Sequence, residues 1–287
     1  MKIEKILLSF MITALLTLGC STGNEPSSTL ESIKIDASIN NLLKGSDLTF
    51  NNADVIGVYS WTGESSQIVI SEKKDYKYSS ASVLWSTDIP MMWPDLTTDC
   101  YFLGVYPTRN ISDFAVDNYK LDVSKQTDSD LLLATNLSKG MNGSMGTPIS
   151  LIFNHLMSKL TVNLDFGPEF SQVPTVSAVE VNAIIEGTIN YLSKEVTLVG
   201  SSEDISIPPV FPNKEYTSVM IPQAIGVITA KIDDKEYKYF PNNSIILEPG
   251  KNFILRLTVK DNKLIPTNFS IIDWIIETTT GEAVKIK

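Results

Sequence analysis

His155, in "IFNHLMSKL", is the single histidine of this 287-residue chain. Any imidazole base, any histidine-activated nucleophile and any imidazole metal ligand would have to be this residue. A Ser/His/Asp or Cys/His set also needs a presented nucleophile, and no nucleophile-elbow motif accompanies it. Its neighbours alternate as on a strand, which predicts a packed, hydrogen-bonded side chain. Carboxylate pairs stand at Asp128/Asp130 and Asp233/Asp234. Two nearby acids can hold calcium or divide the acid and base work of glycoside hydrolysis. In "KIDDKEYKY" they read equally as a solvated hairpin turn. Zinc spacings, phosphate-cradling loops and dinucleotide fingerprints are absent. The expectation is a protein that is not an enzyme and carries no cofactor and no metal.

Trp61, Trp85 and Trp93, with Tyr76 and Tyr78, concentrate in the first half. Exposed, such rings would form a carbohydrate platform; buried, they would dominate a sandwich core. A formal charge of −10 with no basic cluster argues against a nucleic-acid partner.

Two cysteines remain. Lys2 and Lys5 precede "ILLSFMITALLTL", an apolar run of signal-peptide length that is too short to span a bilayer. It ends at "TLGC", so residues 1–19 read as a lipoprotein signal peptide, with lipid on Cys20 and a polar tether over 20–29. Ordinary secretion that discards Cys20 is the alternative, and Thr17 and Leu18 depart from the usual signal residues. Cys100 would then be alone, without a disulfide partner, as a buried small hydrophobe.

Beyond residue 30, short apolar or alternating runs are separated by Gly, Pro, Asn, Asp and Ser, which predicts an all-β chain of sandwich type. Asp128–Lys139 reads as a helix, but "DLLLAT" within it serves equally as a buried strand. The turn-rich Ser138–Pro148 stretch predicts a linker between two cores, giving domains at 30–147 and 148–287. Pro249-Gly250 between apolar runs predicts a hairpin. Near the start, Ile33, Ile35, Ala37 and Ile39 alternate with polar residues as on a half-buried strand. Near the end, Ile272, Trp274 and Ile276 share one face, and Val284 and Ile286 share another.

In order along the chain, "NADVIGVYSW", "YFLGVYP", "DLLLAT", "LIFNHLMSKLTVNL", "VMIPQ" and "LEPGKNFILRLTV" resemble the fimbrillins, lipoprotein precursors of type V pilus subunits. The resemblance implies two tandem transthyretin-like antiparallel β-sandwich domains and assembly by donor-strand exchange. In such subunits a protease cuts the loop after the first strand. The freed groove then accepts a C-terminal strand of a neighbour. On that pattern Ile33, Ile35, Ala37 and Ile39 form the displaceable strand. Ile272, Trp274, Ile276, Val284 and Ile286 are the candidate donors, unless Ile272–Ile276 is an ordinary last strand.

The family's processing residue is typically Arg, but the only arginines are Arg109 and Arg256. Lys44, in "LLKGSD", occupies the matching place. An Arg-strict protease would leave the plug in place, as suits an anchor or accessory subunit. A Lys-tolerant one would permit a stalk role. The implied partners are other pilus subunits and the outer membrane, through lipid on Cys20, with the chain located at the cell surface in a fimbrium. A monomeric surface lipoprotein that binds glycans through its aromatics is the rival reading.

Overall fold

A computed structural model describes residues 31–40, 50–63, 72–137 and 139–274. The first half contributes β1 (Ile35–Ile39), β2 (Val55–Thr62), β3 (Glu72–Ser79), β4 (Leu84–Ser86), β5 (Cys100–Tyr106), β6 (Asp117–Lys120), β7 (Leu132–Thr135) and β8 (Ile149–His155). The second half contributes β9 (Ser158–Phe166), β10 (Val176–Ala183), β11 (Glu186–Asn190), β12 (Glu195–Val199), β13 (Glu203–Ser206), β14 (Pro209–Phe211) and β15 (Glu215–Met220). Next come β16 (Ala224–Ile225), β17 (Ile228–Ile232), β18 (Lys235–Tyr239), β19 (Ile245–Ile246), β20 (Lys251–Lys260) and β21 (Lys263–Asp273). Among the described residues the chain is all-β apart from one helical turn, α1 (Gln126–Ser129), and a 3-10 turn at Gly143–Met145. "DLLLAT" is therefore strand, with α1 just before it. A run this short has too few hydrogen bonds to offset helix nucleation.

The first sheet has seven strands in the order β1-β8-β7-β5-β2-β3-β4. Its two ends meet, because the Trp85 indole N–H of β4 donates to the Ala37 carbonyl of β1 at 3.2 Å. The sheet thus wraps a first core containing Ile33, Ile56, Phe102, Leu132 and Phe153. The second half packs a four-stranded sheet (β13-β10-β17-β18) over a five-stranded one (β14-β15-β9-β20-β21). Leu160, Val181, Ile228, Phe253 and Leu255 fill the space between them.

The structure departs from the sequence reading in the pairing of its strands. β8, which begins just past the expected 147/148 division, pairs with β1 and β7 and buries Ile149, Leu151 and Phe153 in the first core. The turn-rich stretch before it is thus a loop within the first sheet. Met141 of that loop exchanges backbone hydrogen bonds of 2.7 and 2.9 Å with Cys100.

The sheets are also not purely antiparallel, because β1 pairs with β8 and β9 with β20 in parallel. Neither pair is joined by a hairpin, and the long connections between the partners allow the parallel sense. Pro249-Gly250 does not close a hairpin either. β19 pairs with β16, whereas β20 pairs with β9 and β21, so this turn carries the chain from one sheet to another.

Finally, a third cluster joins the two expected cores. β2 and β5 are apolar on both faces, and their outer residues Tyr59, Trp61 and Leu103 meet Tyr191, Ile221 and Trp274. A three-stranded sheet, β12-β11-β6, takes one strand from the first half and two from the second, and ties the halves together.

Candidate functional site: the seat of the leading strand

β1 lies at the sheet edge in register with β8, from Ile35 opposite Ile149 to Ile39 opposite Phe153. On its other side Ser32 bridges Met92. Ile33 N–H donates to Met91 O at 2.8 Å, and Trp93 N–H donates to Glu31 O at 3.2 Å. The leading segment therefore sits in a slot whose lips are β8 and the Met91–Trp93 stretch. Alternation sends Ile33, Ile35 and Ile39 inward, each buried, while Ala37 is half-buried beneath Trp85. Burial of the three isoleucines contributes about 1.5–3 kcal/mol each, so about 5–9 kcal/mol together. That is comparable with the net stability of an ordinary domain, about 5–15 kcal/mol.

The described residues on either side of the stretch that carries Lys44 are anchored. Asn40 N–H donates to Phe153 O at 2.7 Å, and its side-chain amide donates to Asn154 Oδ1 at 2.7 Å. Phe50 packs edge-on against Trp85, Tyr106 and Phe153, with centroids 4.8–5.5 Å apart. Lys44 itself, Cys20, Ile276, Val284 and Ile286 lie outside the described residues.

The Met91–Trp93 lip is braced by a turn that sequence reasoning missed, although its "PDLTT" carries the signal of an Asx turn. Asp95 accepts hydrogen bonds from the Thr98 hydroxyl and amide and from the Thr97 amide, at 2.5–2.7 Å. The Thr98 and Thr97 bonds stabilise the ionised form and hold the Asp95 carboxyl down at about 2. Beside the slot, burial pushes the Cys100 thiol up to about 11, with Asp95 and Asp99 adding to the effect. This is the inert, buried cysteine that the sequence predicts.

The candidate chemical groups are structural. His155 is buried, with Nδ1 2.8 Å from Asp130 Oδ1, and its ring stacks on Trp274 at 4.2 Å. Burial raises the Asp130 carboxyl above its usual range, against the opposing pull of His155 and Lys159. Asp128 is exposed on α1, so it and Asp130 do not form a site. Asp233 and Asp234 form the two-residue turn between β17 and β18, at φ 45° and 63°.

The aromatic platform is absent from the surface. Trp61, Trp93, Tyr76 and Tyr78 are buried and Trp85 is half-buried, because the first sheet wraps Tyr76, Tyr78, Trp85 and Trp93 around the first core while Trp61 packs in the junction cluster. The glycan-binding reading loses its motivation with them. Of the candidate donor residues, Ile272 is on β21 and pairs with Asn252 of β20. Trp274 is buried in the junction core, with its N–H donating to Gly250 O at 2.8 Å. Both are committed to the chain's own fold.

A sequence model of the fimbrillin-like family matches residues 44–274. The chain belongs to the fimbrillin-like family. The fold of this fimbrillin recurs in solved structures. With a candidate cell adhesion protein of Bacteroides ovatus it shares 16% identity over 87% of its own length and 99% of the other, at a TM-score of 0.68. A candidate cell adhesion protein of Bacteroides uniformis gives 16% identity, 85% and 98% coverage and a TM-score of 0.69. For a fimbrial protein of Bacteroides vulgatus the figures are 10%, 84%, 99% and 0.54. At such identities the likeness establishes the shared fold. No protein of curated function matches this fimbrillin in sequence.

Proposed function

We propose that this fimbrillin is a non-enzymatic structural or adhesion subunit of a cell-surface fimbrium, exported as a lipoprotein and assembled by donor-strand exchange. On this reading Cys20 takes the lipid at the outer membrane. The chain forms two transthyretin-like domains that divide after β8 rather than before it. Cleavage after Lys44 frees the segment holding Ile33, Ile35, Ala37 and Ile39. A neighbouring subunit then fills the slot with its own residues beyond Trp274, led by Ile276, Val284 and Ile286. Ile272 and Trp274 stay behind in the donor's own fold.

The observation that carries this reading is the slot itself. β1 is an edge strand that plugs a core, is laid parallel to a distant strand, and is followed in sequence by a stretch containing the basic residue Lys44. Its departure would leave the β8 edge with unpaired backbone groups and a floor of apolar side chains. A strand from a second molecule restores both. Because slot and donor are different surfaces, the contact is heterologous and extends into a filament.

The test is limited digestion of the purified chain with a trypsin-like protease, followed by unheated SDS electrophoresis. A ladder of oligomers is expected, and Lys44→Gln should abolish it. Wild-type protein that is trimmed at Lys44 yet stays monomeric overturns the mechanism.

A further inference from the structure

The second sandwich is left open along one side. Phe269 and Ile271 of β21 stand directly opposite Leu255 and Phe253 of β20, so they face the same interior side of the sheet as those buried residues. Yet Phe269 is 45% exposed and Ile271 48%, and Ile246 across the gap is 61% exposed. Together they line a trough of about 450 Å3, floored by Phe253 and Leu255 and rimmed by Asn242 and Ser244. Inward-facing apolar side chains left uncovered in this way mark a surface awaiting a partner.

The trough begins near the far end of the slot of β1. β1 runs alongside β8 toward His155, and Asn40 is held at Phe153, two residues short of it. His155 stacks on Trp274, the residue following β21, and three residues before Trp274 stands Ile271, at the trough. A strand leaving the slot in the sense of β1 therefore emerges beside His155 and Trp274, close to the end of β21 and the trough.

Length supplies the occupant. The slot holds the seven positions Ile33–Ile39, about 23 Å of extended chain, whereas the thirteen residues 275–287 extend to about 43 Å. Half of such a donor overruns the slot, and its overrunning part carries Val284 and Ile286 at alternate positions.

We propose that the trough is a second seat for the incoming segment of a second copy. Ile276 enters the slot of β1, and Val284 and Ile286 cover Phe269 and Ile271. This rests on the strand-exchange reading above, and it gives each subunit contact a footing on both sandwiches of the acceptor.

The experiment mixes Lys44-cleaved Ile286→Cys chains with cleaved Ile271→Cys chains under mild oxidation. In parallel, the oligomer ladder of a Phe269→Ser/Ile271→Ser variant is measured; both positions are exposed, so the fold should tolerate the change. The expected result is a disulfide-linked heterodimer, and a variant ladder that forms but dissociates at an SDS temperature at least 10 °C lower. Three results overturn the second seat. They are a normal ladder without the cross-link, a cross-link from Ile286→Cys to an Ile149→Cys slot position instead, and an intramolecular disulfide in an Ile271→Cys/Ile286→Cys double variant that stays monomeric. In the first two, strand exchange survives. A wild-type chain that forms no ladder removes both.

Discussion

At the scale of single residues, the seat of the leading strand rests on a few buried apolar contacts and one charged turn. Ile35 is 7% exposed and packs into the first core. Ile35→Ala should lower the unfolding free energy of the uncut chain by about 2–4 kcal/mol, read as a shift in urea midpoint at constant slope. Asp95 gives a pH signature. Its folded pKa of about 2 lies below the ordinary 3.8, so its stabilisation is complete above pH 3.8 and is lost as pH falls toward 2. Thr98→Ala removes the leading cause of that depression. The variant should therefore lose less stability than the wild type between pH 4 and pH 2, in parallel urea titrations. Equal acid sensitivity would show that the turn does not brace the lip. His155 illustrates how far sequence reads at this scale. Its packed, bonded state follows from strand alternation, whereas Asp130 and Trp274, 25 residues before it and 119 after, are brought to it only by the fold.

The decisive element is β8. Its alternation is unbroken, with Ile149, Leu151 and Phe153 inward and Ser150, Ile152 and Asn154 outward. It therefore supplies both the floor of the slot and the ladder for β1. Gly104 of β5 makes room for it, since a Cβ there would stand 2.7 Å from Phe153 Cζ and 3.1 Å from Leu151 Cδ1. Gly104→Ala should cost about 1–3 kcal/mol by overpacking. It should also loosen β1, read as faster amide hydrogen exchange across Ile35–Ile39 than in the wild type. Strand identity here was legible in the sequence, but partner choice was not. The hydrophobic pattern shows which residues face a core. It does not show that the strand after the turn-rich loop returns to the first sheet, or that it pairs with β1 in parallel.

For the whole molecule, the two halves are coupled through the junction cluster. Trp274 sits there at 9% exposure against His155, and β6 joins β11 across the halves. Trp274→Ala should cost about 3 kcal/mol. The unfolding transition should also split or broaden as the halves lose cooperativity, in calorimetric or denaturant scans followed by two probes. A single sharp transition at the wild-type midpoint would mean that the junction carries no coupling. The continuous apolar runs of β2 and β5 were the available hint of this third core, since a strand buried on both faces does not alternate.

The sequence alone determined that the chain is built of strands, which residues of the leading segment turn inward, that the lone histidine is packed, and which family the chain resembles. All of these depend on local pattern: period-two burial, turn residues and motif order. Tertiary structure decided the rest. It showed where the first sheet ends, that its edge strand runs parallel to β8, that the tryptophans serve as core, that Ile272 pairs within the second half's own sheet, and that Trp274 fills the junction between the halves. Those outcomes depend on contacts between residues tens to hundreds of positions apart. Many pairings are compatible with one apolar pattern, and only close packing of the assembled sheets selects among them.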